Sequence, residues 1–443
     1  MTIPLWHTSD PRCRERLNAL KARLSLEEGL RRAGKSGEPP LEAVRRIMAD
    51  VRERGDAAVL EHTERLDGCS LSPEQMLVSR DEVSRARERC PADLIEALEL
   101  SAERVRQFQE SILLHDPPPL EVGGRRLGIR YRPVDSAGIC VPGAAASLAS
   151  TVLMAAVPAR VAGVERLCMV TAPRPDGTVS DDRLAAADIA GVHEVYRIGG
   201  VQAVAALAYG TETIRPVDFI AGPGNIYVTL AKKEVYGQVG IEMLPGPSEV
   251  VVIADETGNP GWIAADLIAQ AEHNPGSAIL LTPEQELARA VGRSLDNLLS
   301  TLPAADATRS CLESYGALIV AESLAECVEL TNELAPEHLE IATEEPEAVA
   351  SDIRHAGAIF LGPWTPESVG DYVAGPSHVL PTSRTARFSS GLSANDFLKR
   401  SSLIGYDAEA LSEDADDVAT LARAEGLEGH ARAVEARRQE HGS

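Results

Sequence analysis

Residues 217–257 read VDFIAGPGNIYVTLAKKEVYGQVGIEMLPGPSEVVVIADET, and this stretch decides the fold. A short apolar run at 218–220 ends on Gly222-Pro223-Gly224-Asn225, a helical pattern follows over 226–236, and a β-branched run stands at 250–253. Strand, glycine turn, helix and strand in that order describe a parallel crossover unit. Upstream, a run at 194–198 ends on Gly199-Gly200-Val201-Gln202 and enters a helix at 203–209, after a strand at 167–170 and a helix at 184–189. Downstream, strands are expected at 278–281, 317–320, 339–341 and 358–361, with helices at 284–299, 324–333 and 346–354 between them. Two α/β layers follow, with no internal repeat of fixed period.

Outside these layers the texture changes. Residues 1 to about 115 read as mostly helical, because Leu41, Val44, Ile47, Met48 and Val51, and again Leu94, Leu98, Ala102, Val105 and Phe108, recur at steps of three and four. A strand-like run at 127–131 follows three prolines, and the end of the chain reads as charged helices at 415–424 and 430–437. Of the 443 residues, 44% are hydrophobic and 25% charged, the composition of a folded chain of two to four packed units. A net charge of −24 disfavours nucleic acid and anionic membrane surfaces. No apolar run is long enough to span a bilayer, and seven scattered cysteines without a CxxC pair suit a reducing compartment, so a cytoplasmic protein is expected.

Several clusters carry possible chemistry. The glycine turn at 222–225 and its counterpart at 199–202 each open a helix at a strand's carboxyl end, where main-chain N–H groups favour an anion such as a nucleotide phosphate. Tyr227 replaces the third glycine of G-x-G-x-x-G, so the turn alone is weak evidence. Gln270 and His273 lie three apart in a helical pattern and share a face that suits a metal, though an arbitrary Q-x-x-H is usually an exposed polar face. Glu337 and His338 put a carboxylate beside an imidazole, groups that proton transfer near neutral pH needs, though adjacent residues project in different directions and such a pair is as easily a surface turn. Asp371 and His378 stand in a glycine- and proline-rich loop, and His430 in the tail. Carboxylate, amide oxygen and imidazole together suit Zn²⁺ or a similar divalent ion.

Taken together these stretches strongly resemble the histidinol dehydrogenases. The resemblance rests on GGVQAVAALAYGTETI, on the stretch at 217–257, on AADLIAQAEHNP, NELAPEHLEI, GDYVAGPSHVLPT, RSSLIGYD and AEGLEGHARAV, and it runs from about Arg45 to Arg437. It implies NAD-dependent oxidation of L-histidinol to the aldehyde and then to L-histidine, the last step of histidine biosynthesis. It implies Gln270, His273, Asp371 and His430 as zinc ligands, with His338 taking the alcohol proton and Glu337 activating the water that hydrates the aldehyde. Substrate contacts implied are Ser248, Gln270, His273, His338, Asp371, His378, Glu425 and His430; NAD contacts are Cys140, Gln202 and Asn225. The architecture implied is two incomplete Rossmann-like α/β domains, one from 35–139 and 250–332 and the other from 140–249 and 333–390. A helical arm at 1–34 and a helical dimerisation tail at 391–443 complete it. In the family that tail reaches the neighbouring subunit, so each active site of the homodimer is shared.

The chain departs from the family in two places. Cys140 stands where the family's tyrosine contacts NAD in G-I-Y-V-P-G, and residues 144–150 are small where a glycine-lysine-proline pattern is usual. With no adjacent base in the sequence, Cys140 reads as an idle thiol rather than a nucleophile. The nearest rival reading is a related zinc- and NAD-dependent dehydrogenase of another small alcohol, such as a sulfonated diol. Zinc hydrolysis through Glu337 and a non-catalytic nucleotide-binding protein are further alternatives.

Overall fold

The computed structural model describes residues 2–25, 28, 38–143, 148–273, 275–303 and 305–439. Residues 144–147 and most of the 1–34 arm beyond residue 25 lie outside the described residues. Two compact units result, one of residues 1–112 and 135–396, the other of residues 113–134 and 397–443.

The first unit holds two parallel sheets. The smaller runs in the order Glu194–Tyr196, Arg166–Thr171, Ser136–Val141, Phe219–Ala221, Gly240–Ile241. The larger runs Leu5–His7, Gly316–Val320, Gly276–Thr282, Ser248–Ala254, His338–Ala342, Ala358–Leu361. Leaving aside its N-terminal edge strand, the larger sheet repeats the order of the smaller: the first strand sits centrally, the second and third on one side and the fourth and fifth on the other. The α/β class and the doubled architecture expected from the sequence are thus present.

The structure departs from the sequence division at several points, the first being the helices of 40–67, expected with 250–332, whose Val44, Ile47, Val51 and Val59 share the apolar core of the smaller sheet. The strands His338–Ala342 and Ala358–Leu361, expected with 140–249, pair beside Ser248–Ala254, where Leu339 and Ile341 join its apolar core. Residues 113–134, expected with 35–139, instead form antiparallel strands Leu120–Val122 and Arg125–Pro133 with Leu398–Tyr406. The tail is therefore not wholly helical, and the N-terminal arm contributes the strand Leu5–His7, paired to Gly316–Val320.

Two elements escape the periodicity reading for one reason. The strand Ser136–Val141 and the helix Ala149–Ala162 are buried on nearly every side, so neither shows an apolar stripe. Pro158 lies inside that helix. A helix-interior proline cannot donate to the carbonyl four residues back, here that of Met154. The Ser377 hydroxyl donates to that carbonyl at 2.8 Å instead, which fastens the loop carrying His378 to the helix.

Candidate active site

The catalytic candidates gather at the amino edge of the larger sheet. The helix Leu324–Leu334 ends on Ala335, which takes the left-handed conformation at φ 48° as a C-cap. Pro336 follows, and Glu337 and His338 enter the strand His338–Ala342. Beside them the strand Ser248–Ala254 begins, and its residue Glu249 grips both side chains through its main chain. The Glu249 N–H donates to Glu337 Oε2 at 2.9 Å, and its carbonyl lies 3.2 Å from His338 Nδ1. That carbonyl can only accept, so Nδ1 carries the proton and Nε2 presents its lone pair. Nε2 faces Asp371 Oδ1 at 4.0 Å.

Burial governs the protonation of this pair. It pulls the His338 imidazole down to about 4, against the opposing pull of the Asp371 carboxylate, so the ring is a neutral base near pH 7. Burial pushes Glu337 well above the usual carboxylate range, and the neighbouring Glu249 and Asp371 carboxylates push it further. Glu249 is itself raised by burial to about 8.

Beside the pair lies a set of metal-type donors. His273, Glu367 and Asp371 each place a ligand atom within 4.8 Å of the others. His273 stands two residues past the end of the helix Pro260–Ala271, held by its N–H to the Gln270 carbonyl at 3.3 Å, so the pair spans a helix terminus rather than a helix face. Gln270 is fully buried, and neither its amide oxygen nor its nitrogen has a hydrogen-bond partner. A buried orphaned amide three residues before one of the three converging donors fits a cation ligand. The charge argues likewise: burial raises Glu367 and Glu340 well above the usual range, and among the described residues no lysine or arginine forms an ion pair with Glu337, Glu340, Glu367 or Asp371. A divalent cation would supply the missing positive charge.

Glu367 escaped the sequence reading, although its signal was present. It lies four residues before Asp371 on the short helix Glu367–Tyr372, a spacing that puts both carboxylates on one side. Its N–H donates to Glu340 Oε1 at 2.7 Å, and its Oε2 has no partner. Glu340 in turn neighbours Asp266, whose carboxyl burial raises to about 6.

His378 joins the same region. Its Nδ1 lies 2.9 Å from the Asp371 carbonyl and its Nε2 3.2 Å from the Thr151 hydroxyl, so donation to the carbonyl leaves Nε2 accepting from Thr151. Ser248 stands beside the Glu337 carboxyl. The structure thus brings Ser248, His273, Glu337, His338, Asp371 and His378 to one region of the first unit. Glu425 and His430 lie in the second unit, both exposed, on either side of Gly426, whose φ of 76° separates the helices Ala408–Ala424 and Glu428–Gln439.

A cavity of about 690 Å³ opens at the carboxyl ends of the smaller sheet, between the strands Ser136–Val141 and Phe219–Ala221 where the strand order reverses. Cys140, Gln202 and Asn225 all line it, with Asp67 and Tyr227. Asn225 caps the helix Ile226–Val235, its side-chain oxygen accepting from the N–H groups of Tyr227 and Val228, which leaves its amide nitrogen for a ligand. The Gln202 side-chain oxygen is buried without a partner, and its nitrogen lies 3.4 Å from Asp67 Oδ2. Burial pushes the Cys140 thiol up to about 12, which makes it inert.

The glycine turn that floors the cavity is clamped from within the protein. Gly222 has φ 113°, and a Cβ there would stand 2.2 Å from the Cys140 carbonyl oxygen. Its N–H donates to Glu242 Oε1 at 2.8 Å and its carbonyl accepts from Lys232 Nζ at 3.0 Å, while Lys232 and Glu242 form a fully buried ion pair at 2.6 Å.

The family model for histidinol dehydrogenase matches residues 30–438. A histidinol dehydrogenase of Synechococcus sp. is 52% identical over 398 residues, 90% of this chain and 92% of that protein. That of Geobacillus kaustophilus is 51% identical over 410 residues, 92% of this chain and 96% of that protein. The crystal structure of histidinol dehydrogenase from Elizabethkingia anophelis superposes with a TM-score of 0.88 at 35% identity, covering 92% of this chain and 94% of that one. A neutral imidazole and a buried carboxyl beside converging cation donors, on a chain so matched along its length, place it in the histidinol dehydrogenase family.

Proposed function

We propose that this enzyme oxidises L-histidinol to L-histidine in two NAD-dependent steps at one site built on Glu337 and His338. The observation that supports it most is the double grip of Glu249 on those two side chains, next to His273, Glu367 and Asp371. Gln270, His273 and Asp371 would hold Zn²⁺ together with His430 supplied by a second copy of the chain. When bound, the dication would supply a Lewis-acidic anchor for the substrate, and the cavity lined by Cys140, Gln202 and Asn225 would hold NAD⁺, the hydride acceptor for both oxidations.

The chain's own groups handle the protons. His338 Nε2 takes the alcohol proton as the first carbon–hydrogen bond is broken, which its neutral state permits. Glu337 takes a proton from the water that adds to the aldehyde; burial works against the ionised state this requires, and a nearby dication works for it. Ser248, His378 and Glu425 would orient the substrate. Relatives at about half identity are named for histidinol, so a sulfonated diol is not favoured as substrate.

A homodimer with shared sites is supported by the second unit, which exposes Ile404 at 74% and Leu421 at 66%, with Leu120, Val122 and Leu403 also uncovered. Among the described residues no helix is long and apolar enough to cross a membrane; the seven free cysteines support a cytoplasmic location. Counting NADH tests the reading: two should form per L-histidinol consumed, and none after the metal is stripped with a chelator. One NADH per substrate, or chelator-insensitive turnover, would overturn it.

A further inference from the structure

A second cavity, of about 380 Å³, lies against the opposite face of the larger sheet from the helix Pro260–Ala271. It shares no lining residue with the cofactor cavity, and its size falls at the small end of the range for small-molecule sites. Apolar walls come from Val251, Ile279 and Leu334, while the polar lining sets the buried Glu249 carboxyl, which a bound cation would draw into its ionised form, and Ser277 together with Arg384, Arg387 and Lys21. Lys21 is already paired with Glu333. Arg384 donates through Nε to the Glu333 carbonyl and Arg387 through Nε to the Arg384 carbonyl.

The wall that carries the arginines is unusual. Ser383 and Arg384 both adopt the left-handed conformation, at φ 54° and 66°, a strain that persists only where the surroundings hold it and that gathers at ligand clamps and switches. What holds it here is the active site's own framework. The Ser383 N–H donates to the Glu249 carboxyl at 3.1 Å, and the Gly246 N–H donates to the Thr382 hydroxyl. Gly246 and Glu249 flank Ser248, and the Glu249 main chain fixes Glu337 and His338. The side chain of one residue therefore faces this cavity while its backbone sets both catalytic groups.

We propose that the cavity is an effector site for a small zwitterionic amino acid, whose ammonium meets Glu249 and whose carboxylate meets Arg384 and Arg387, and that its occupation lowers turnover by shifting the Glu249 main chain. An amino alcohol lacks the carboxylate and lacks half of the match. The product of the proposed reaction is an α-amino acid and its substrate is not, so the site would sense product without being blocked by substrate.

The test uses the full-length protein saturated with L-histidinol and without NAD⁺, titrated calorimetrically with L-histidine, L-alanine, histamine and imidazolepropionate. The two amino acids are expected to bind, and the two compounds lacking one charge to bind at least tenfold more weakly. Arg384→Gln and Arg387→Gln should each weaken the amino acids at least tenfold while leaving uninhibited turnover within twofold of the parent. In turnover assays of the parent, added amino acid should lower kcat with KM for L-histidinol unchanged. Absence of binding to the histidinol-saturated protein, or inhibition that is purely competitive and unaltered in both variants, would sink the proposal. Turnover without added amino acid reports separately on the activity itself.

Discussion

His338 owes its chemistry to one carbonyl and to burial. With Nδ1 committed to Glu249, only Nε2 can accept a proton, and a ring held down to about 4 is free to do so across the neutral range. Replacing it by glutamine should lower kcat by about 10²–10⁴-fold, the usual worth of a general base, while L-histidinol binding measured by calorimetry stays within about threefold. Asp67 offers a pH-dependent test in the cofactor cavity. Burial raises its carboxyl from 3.8 to about 6, so the folded chain binds this proton more tightly than the unfolded chain does. That contribution to stability is complete below about pH 4 and is lost as pH rises through 6. Asp67→Asn should therefore raise the Tm at pH 8 and leave it nearly unchanged at pH 4, with a gain of about 1–2 kcal/mol after allowance for solvent screening at this half-buried site. Most of the candidate site residues were legible because Gln270, Glu337, His338 and Asp371 stand in stretches with a family resemblance. Glu249 was not singled out, since its role arises from a main-chain grip that no spacing reveals, and Glu367 was passed over although its four-residue step to Asp371 could be read, because its burial could not.

The cofactor turn shows how an element depends on residues its motif does not contain. The glycine turn, its strand and its helix could be read directly, because strand, glycine and helix follow in unbroken order. The Lys232–Glu242 clamp could not, since the ten-residue steps between Gly222, Lys232 and Glu242 match no helix or strand period and the three meet only in the folded turn. Lys232→Met leaves the Glu242 carboxylate buried and unpaired, and should cost about 3–5 kcal/mol of unfolding free energy in denaturant titrations. Adding Glu242→Leu should recover most of that loss, because the uncompensated charge is then gone. If the double variant is no more stable than the single one, the clamp acts through its bonds to Gly222 rather than through charge balance. The strand Ser136–Val141 and the helix Ala149–Ala162 mark the limit of pattern reading: elements buried all round have no polar face to set a period.

Two sheets of one strand order divide the work of the first unit between opposite ends. The smaller sheet opens its cofactor cavity at the carboxyl ends, as open parallel sheets commonly do. In the larger sheet Asp255 closes the corresponding end, accepting from the N–H groups of Thr257 and Glu344, and the proposed catalytic residues stand at the amino ends instead. The alternation of strands and helices was enough to foresee both layers. Which strands share a sheet was not, because neighbours in a sheet such as Ser248–Ala254 and His338–Ala342 lie far apart along the chain. For the dimer, His338→Ala and His430→Ala chains, each inactive alone, should regain part of the parent's activity once their subunits exchange. Verified heterodimers that stay inactive would show that the tail's histidine serves some other purpose.

Pro158 gives up a helix bond, and Ser377 takes the place of the lost donor. The substitution binds two distant positions into one unit of inheritance. A descendant that exchanged the imino acid for an ordinary residue would satisfy the helix and strand the hydroxyl, loosening the histidine next to it; the two sites are expected to be gained and lost together.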